Sequence, residues 1–436
     1  MQLSDAAPCT GSVRAALAAA TAALLAPAIT PASAQSNASP AWRGDSALLV
    51  YAEGGGRVRA VEPVVSLKRT DGNDQTLGLK VTFDALTGAS PNGAAPQPAP
   101  QTFTSPSGES TYVVGAGRTP LDTSFHDARG ALAFTLERPF GDGRRLALGA
   151  NLSAEYDFRS FGLNAALAQD FNDKNTTVSL GAAVEADRIR AVGGAPQGLR
   201  PAFVAGTARS SSASRNVVDL LLGVTQVMSR QWLTQLNLGW GRGSGDHTDP
   251  YKVLSVVDAA SGLVTGDRYV TELRPDSRSR LSLYWQNKIH LRQDVLDVSY
   301  RFYRDDWGVR AHTLDARWRV ELGGGQHIEP QLRWYRQSAA DFWRPWLVEG
   351  QGWSSTAHGT GLASASADPR LAAFTGQTLG LKFGMPLDAR SELAVRAQVY
   401  RQTQKTPANA PGVLQTLDTA PTLKAATLVV GYTRDF

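Results

Sequence analysis

The chain is poor in the features that announce soluble chemistry. It has one cysteine in 436 residues, six histidines and a net charge of only +5. No segment after the first thirty or so residues has the 18 or more consecutive apolar residues that a spanning helix needs. Cys9 falls in a stretch that resembles a secretory leader. Arg14 supplies a charged start, Ala15 to Ile29 an apolar run, and Ala32-Ser33-Ala34 a small-residue cleavage site. Pro27 and Pro31 argue against a buried helix there. With residues 1–34 removed, the chain keeps its charge of +5 and loses its cysteine, which excludes disulfides and thiolate metal sites. Cys9 also lacks the leucine context of a lipoprotein box. No basic run is present, so nucleic acid is not an expected partner.

Catalytic and metal signatures are equally thin. His126, His247, His290, His312, His327 and His358 form no close pair of the kind metal sites use. Asp246-His247-Thr248-Asp249 is a turn motif before Pro250 that offers at most loose cation contacts. There is no G-x-S-x-G elbow. Gly239 to Gly245 alternates glycine with period two and opens no strand–helix unit, so it is not a phosphate loop; its glycines make room for neighbouring side chains. No catalytic residue, cofactor or metal ligand is assigned, and the chain is expected to be non-enzymatic.

What the sequence does have is alternation. In Thr378–Leu387, apolar Leu379, Leu381, Phe383, Met385 and Leu387 oppose Thr378, Gly380, Lys382 and Gly384. Thr313–Leu322 and Thr177–Glu185 repeat the pattern. Period two means two faces in different surroundings. Sixteen such strands are expected, at 46–53, 57–70, 75–87, 124–140, 144–158, 161–171, 176–190, 214–228, 231–246, 276–291, 295–305, 309–322, 326–340, 374–387, 391–402 and 421–436. Most exceed the usual five or six residues of soluble strands and suffice to cross a bilayer when tilted. Pro63 and Pro330 weaken two of them, so 14 to 18 strands fit.

The connections separate a membrane barrel from a soluble sandwich. Every second one is short and rich in turn residues, such as Asp71-Gly72-Asn73-Asp74 and Gly323-Gly324-Gly325. The long ones (88–123, 191–213, 247–275, 341–373 and 403–420) all share the other phase. This asymmetry predicts an all-β transmembrane antiparallel barrel with short periplasmic turns and long extracellular loops. Residues 35–45 become a short periplasmic segment and 46–436 one barrel domain, facing outer-membrane lipids. Pro91–Pro106 and Ala191–Ala213 are expected to be mobile loops on composition.

The last strand agrees. Ala426, Leu428, Val430, Tyr432 and Phe436 share one face, and a terminal aromatic resembles the closing strand that marks barrels for the assembly machinery. Arg434 departs from the hydrophobic residue usual at that place.

Several phrases then resemble the bacterial family known as domain of unknown function 3570. They are Phe171 to Thr177, Leu222 to Ser229, Phe302 to Gly308, Tyr335 to Phe342 and Ala367 to Leu371. The resemblance implies an outer-membrane barrel, with a hint of a redox or flavin-linked envelope role. On the expected topology three of these phrases converge on the extracellular rim. With the second extended to Trp346, these segments carry Tyr303, Asp305, Asp306, Trp307, Tyr335, Asp341, Trp343, Asp368 and Arg370. Two readings follow: a binding site, or an interfacial aromatic girdle with a salt-bridged loop.

The inward face is expected to carry Asp297, Arg301, Asp315, Arg317, Arg319, Glu321, Arg333, Lys382 and Arg396. Both signs are present, which fits a weakly selective pore or a barrel closed by its own ion pairs. The leading expectation is a porin-like channel for small hydrophilic solutes. The alternative is a closed barrel serving as scaffold or receptor for a periplasmic or lipoprotein partner.

Overall fold

The computed structural model describes residues 41–105, 110–124, 126–204, 209–359 and 361–436; the expected leader, 1–34, lies outside them. Sixteen strands close into one antiparallel barrel in simple sequence order. They are β1 Ala41–Glu53, β2 Arg59–Thr70, β3 Thr76–Thr87, β4 His126–Pro139, β5 Arg144–Ala154, β6 Phe158–Phe171, β7 Thr176–Ile189 and β8 Ala213–Ser229. The ring continues through β9 Trp232–Gly245, β10 Ser277–Leu291, β11 Asp294–Asp305, β12 Arg310–Gly323, β13 Gln326–Gln337, β14 Phe374–Asp388, β15 Ser391–Gln404 and β16 Leu423–Asp435. β1 pairs with β16 from Arg43↔Asp435 to Glu53↔Ala425, which removes every sheet edge. The first strand begins at Ala41 rather than 46, so part of the expected 35–45 segment is wall.

Alternation decides which face meets lipid. Leu79, Val81, Leu163, Leu220, Leu238, Leu379 and Leu428 all stand exposed on the outside. Trp42, Phe140, Phe171, Trp232 and Phe436 ring the turn end of that face, the belt expected at a membrane boundary. Both prolines sit inside strands, each opening the ladder on one side. The β2–β3 register skips from Val61↔Ala85 to Val64↔Thr82, while Pro63 keeps its place opposite Leu48 of β1. The β12–β13 register likewise skips from Arg317↔Gln331 to Val320↔Ile328, and Pro330 stays opposite Leu381 of β14. A missing N–H breaks pairing only toward the neighbour it would have served.

The long connections overturn the expectation of mobility. Among the described residues, all five contribute to one folded cap at the loop end of the barrel. Its centre is a four-stranded sheet in the order Val264–Thr271, Val253–Val257, Leu347–Glu349, Gly352–Trp353. Every residue of Val253–Val257 is buried, because both faces of that strand are covered. Leu254 and Val256 pack with Leu199, Val270, Trp353 and Ala365. Val253 turns the other way, toward Phe103, Val114 and Tyr269, and Val257 joins Trp346, Ala410 and Leu414. The supposedly loose Pro91–Pro106 tract thus supplies Ala94, Ala95 and Phe103 to the cores, and the Ala95 amide donates to Ser255 Oγ at 2.9 Å. Leu199 does the same for Ala191–Ala213. Burying a large apolar side chain stabilises by about 1.5–3 kcal/mol, enough to outweigh loop entropy when many do so together.

Candidate functional site

The inner wall is a lattice of ion pairs made possible by small residues between them. Asp219 of β8 and Arg280 of β10 pair at 2.7 Å across β9. They meet over Gly241, where a Cβ would lie 2.0 Å from Asp219 Oδ1. Arg396 of β15 reaches Glu329 of β13 at 2.7 Å across β14. Asp315 accepts from Arg317 Nε at 3.0 Å and Gln331 Nε2 at 2.7 Å. Arg319 pairs with Glu321 at 2.6 Å, Lys382 with Glu392 at 3.8 Å, and Asp297 accepts from Gln286 at 2.7 Å. Arg301 lies 5.2 Å over the Tyr284 ring. All nine inner residues named from the sequence therefore project inward, on strands whose alternate residues, among them Val298, Leu314, Trp318, Leu332, Leu381 and Val399, are exposed outside.

Solvation changes along the axis. At the turn end Asp297, Glu137, Glu321 and Glu392 keep 24 to 41 % side-chain exposure, whereas Asp84, Asp187, Asp219 and Asp305 beneath the cap keep 0 to 7 %. Asp170 is the exception, buried near the turn end by Arg145 and Thr177. Lys68 and Lys80 also face inward and are exposed.

At the rim, the motif-bearing segments do come together. Trp307 is buried with Val309, Ala340, Phe342 and Leu371, and Tyr303 and Trp343 pack against them. Arg278 sits 4.4 Å over the Trp307 ring and pairs with Asp305 at 2.5 Å, while Tyr303 donates to Asp305 at 2.9 Å. Asp306 accepts from the Ser279 amide, Tyr335 donates to Gln337 at 2.7 Å, and Asp341 packs against Gly308. Trp307 and Phe342 are therefore core residues of the cap's foot, and the interfacial-girdle reading does not hold for them.

Asp368 and Arg370 belong to a buried six-charge cluster. Asp368 accepts from Arg370 Nε at 2.9 and 2.7 Å and from Arg274 Nη2 at 2.7 Å. Arg274 also meets Glu272 at 2.6 Å, Arg370 meets Asp249 at 2.8 Å, and Ser366 donates to Glu272. With Lys252 the cluster counts three carboxylates and three cations. Burial pushes the Asp368 carboxyl up, but Arg370 and Arg274 outweigh it and hold the group well below the usual carboxylate range. Asp249 is lowered in the same way, against its burial, by Lys252 and Arg370. Glu272 is raised, because burial and the neighbouring carboxylates outweigh Arg274.

A model of a family described as a protein of unknown function, DUF3570, matches residues 14–434. The chain belongs to this family. Three solved structures resemble it. OccK2 (OpdF) of Pseudomonas aeruginosa is 12 % identical, with 91 % of this chain and 97 % of that one covered and a TM-score of 0.39. CdiB from Acinetobacter baumannii is 7 % identical, with 89 % and 60 % covered and a TM-score of 0.43. A bacterial polysaccharide outer membrane secretin is 8 % identical, with 92 % and 99 % covered and a TM-score of 0.42. No match was found among the curated proteins. At such identities the fold rests on the closed strand ladder itself, which is that of an outer-membrane β-barrel.

In this DUF3570 barrel the sequence reading found Asp368 and Arg370 but missed Glu272, Arg274 and Lys252. Nothing local marks them, since they lie about a hundred residues away in another loop. It also passed over Glu62, Asp84, Asp127 and Arg129, which share the inward parity of β2, β3 and β4 and were legible by period two alone. Asp246 accepts from the Thr248 amide at 2.9 Å as an ordinary turn, and Asp249 is occupied by Arg370.

Proposed function

We propose that the protein is a porin-like, non-enzymatic channel for small hydrophilic solutes, with a wet vestibule at the turn end and a folded cap over the loop end. One observation carries this reading: Lys68, Lys80 and Arg301 face the interior and are exposed there. A lumen closed throughout by side chains would desolvate them at a cost of several kcal/mol per ion. In the cell the vestibule faces the periplasm and the cap the exterior, after export across the inner membrane. Phe436 closes the ladder, its amide donating to the Trp42 carbonyl at 2.8 Å, and is the group for the assembly machinery to recognise. Purified, folded protein in planar bilayers is expected to give discrete conductance steps. A silent bilayer with protein that still migrates differently when heated sinks the channel reading.

The five-loop cap favours a second reading, a closed barrel that acts as scaffold or receptor for an envelope partner, including a redox or flavin-linked one. Such a barrel would give no conductance and would co-purify with that partner under mild detergent.

A further inference from the structure

Inward charges beneath the cap are sorted by wall. On β2 to β5 and the turn that follows, Glu62, Asp84, Asp127, Glu155 and Asp157 gather around Arg129, whose guanidinium pairs with Asp84; Lys80 lies further down β3. In a sixteen-strand ring, β10 to β13 stand eight places round from β2 to β5 and therefore face them. That wall carries Arg278, Arg280, Arg301 and Arg333. Arg278 is matched by Asp305 and Arg280 by Asp219. Arg301 is exposed to the interior. Arg333 stands opposite Asp315 in the register, yet that carboxylate is already taken by Arg317 and Gln331. Among the described residues no carboxylate pairs with Arg333.

We infer that these facing walls set up a transverse field across the outer half of the lumen, which selects small zwitterionic solutes and aligns them with carboxylate toward Arg333 and ammonium toward Glu62 and Asp127. The inference rests on the channel reading. The physical case is that low-dielectric walls of opposite charge excess focus a field between them, and a dipole in that field is aligned by both. A solute carrying both charges gains on both walls at once, whereas a single ion gains on one wall and loses on the other. A ring of one sign would select simple cations or anions; two facing walls of opposite excess select a dipole.

Glycine and its uncharged isomer glycolamide have the same atoms and nearly the same size, so they isolate the dipole. The test is swelling of liposomes containing the purified full chain, with each solute in turn. Wild type is expected to pass glycine about threefold faster than glycolamide. Arg333→Gln and the Glu62→Gln/Asp127→Asn pair should each bring the ratio toward one, while Arg333→Lys, which keeps the charge, should preserve most of it. Heat-dependent gel migration establishes that each variant is folded, and the Lys variant keeps the comparison meaningful if Gln disturbs assembly. A wild-type ratio near one with both solutes passing overturns the field and leaves the channel standing. Passage of neither solute by folded protein overturns the channel, and the field with it.

Discussion

Asp368→Asn removes one charge from the cluster that ties the cap loops together and keeps the side chain's size. The wild-type carboxylate is almost wholly buried, bonds both Arg274 and Arg370, and accepts the Arg370 amide at 2.9 Å. Removing one partner of a buried ion pair costs about 3–5 kcal/mol, because the other is left desolvated and unmatched. Here Arg274 retains Glu272 at 2.6 Å and Arg370 retains Asp249 at 2.8 Å. The new amide also still offers one oxygen. The lower end applies, about 3 kcal/mol, or roughly a hundredfold in the cap's opening equilibrium. Hydrogen exchange of the amides in 249–274 and 340–372 reads that equilibrium directly. They should exchange roughly a hundredfold faster in the variant, with the amides of β6 to β8 unchanged. Acceleration below about threefold would show that the apolar cores hold the cap unaided and that the cluster is incidental to it.

Three further outcomes follow from the same geometry. Asp368 and Asp249 are held below their usual range, so the stability they give is complete above about pH 4 and is lost as pH falls through their folded values; Glu272, raised by burial, works the opposite way only above that window, so cap unfolding followed by Trp346 and Trp353 fluorescence should ease between about pH 4 and pH 2, and a cap equally stable at both would contradict the assignment. Phe103→Ala should destabilise the cap by about 3–5 kcal/mol, since the ring is buried, stacked 5.5 Å from Tyr112 and packed at a tilt 4.9 Å from Tyr269; a change under about 0.5 kcal/mol would restore the mobile-loop picture of that tract. Gly241→Ala would place a methyl 2.0 Å from Asp219 Oδ1 and 2.7 Å from Arg280 Nε, so the bridge must part, leaving a buried carboxylate unmatched at a cost of about 3 kcal/mol; a wild-type urea midpoint for the folded barrel would refute that account.

The wall was legible because a barrel writes its fold in period two. Leu379 to Leu387 and Leu314 to Leu322 announce which face meets lipid, and turns such as Gly323-Gly324-Gly325, all at positive φ, announce where strands reverse. Ends were less legible. Trp42-Arg43-Gly44-Asp45 joins β1 through its pairing with β2 and β16, and its own composition does not alternate apolar with polar. The cap was illegible for a different reason. Val253–Val257 is apolar on both faces and has no period, and its parallel partner, Leu347–Glu349, lies ninety residues on. Composition misled as well: the prolines and glycines of 91–106 disguise a segment anchored by Phe103, whose partners Tyr269 and Val253 come from another loop. Of the rim residues, sequence position could show that Trp307, Phe342 and Asp368 converge. That they converge into a packed foot with Asp305 and Asp368 matched depends on Arg278 and Arg274, which only the fold brings near.

The distribution of apolar contacts separates the cap from the wall. The three inner cores draw solely on the long connections, with no residue of β1 to β16 among their buried members. Among the described residues, the fourth core, around Trp307, is the one that joins the cap to the barrel, through the β11–β12 turn and Tyr303. Polar ties such as Tyr251 to Asp157 complete the attachment. Most of the cap's stabilising contacts are therefore internal to it, and the ladder hydrogen bonds of the wall do not depend on them. Displacing such a unit breaks one apolar foot and a few hydrogen bonds while both folded parts stay intact. The cap can then be weakened while the wall stays folded, so the channel reading expects conductance steps from wild type and from a cap variant alike, and the receptor reading expects none from either. Conductance measured on Asp368→Asn beside wild type decides between them: steps from both support the channel, and silence from both, with each still folded by heat-dependent gel migration, supports the closed receptor.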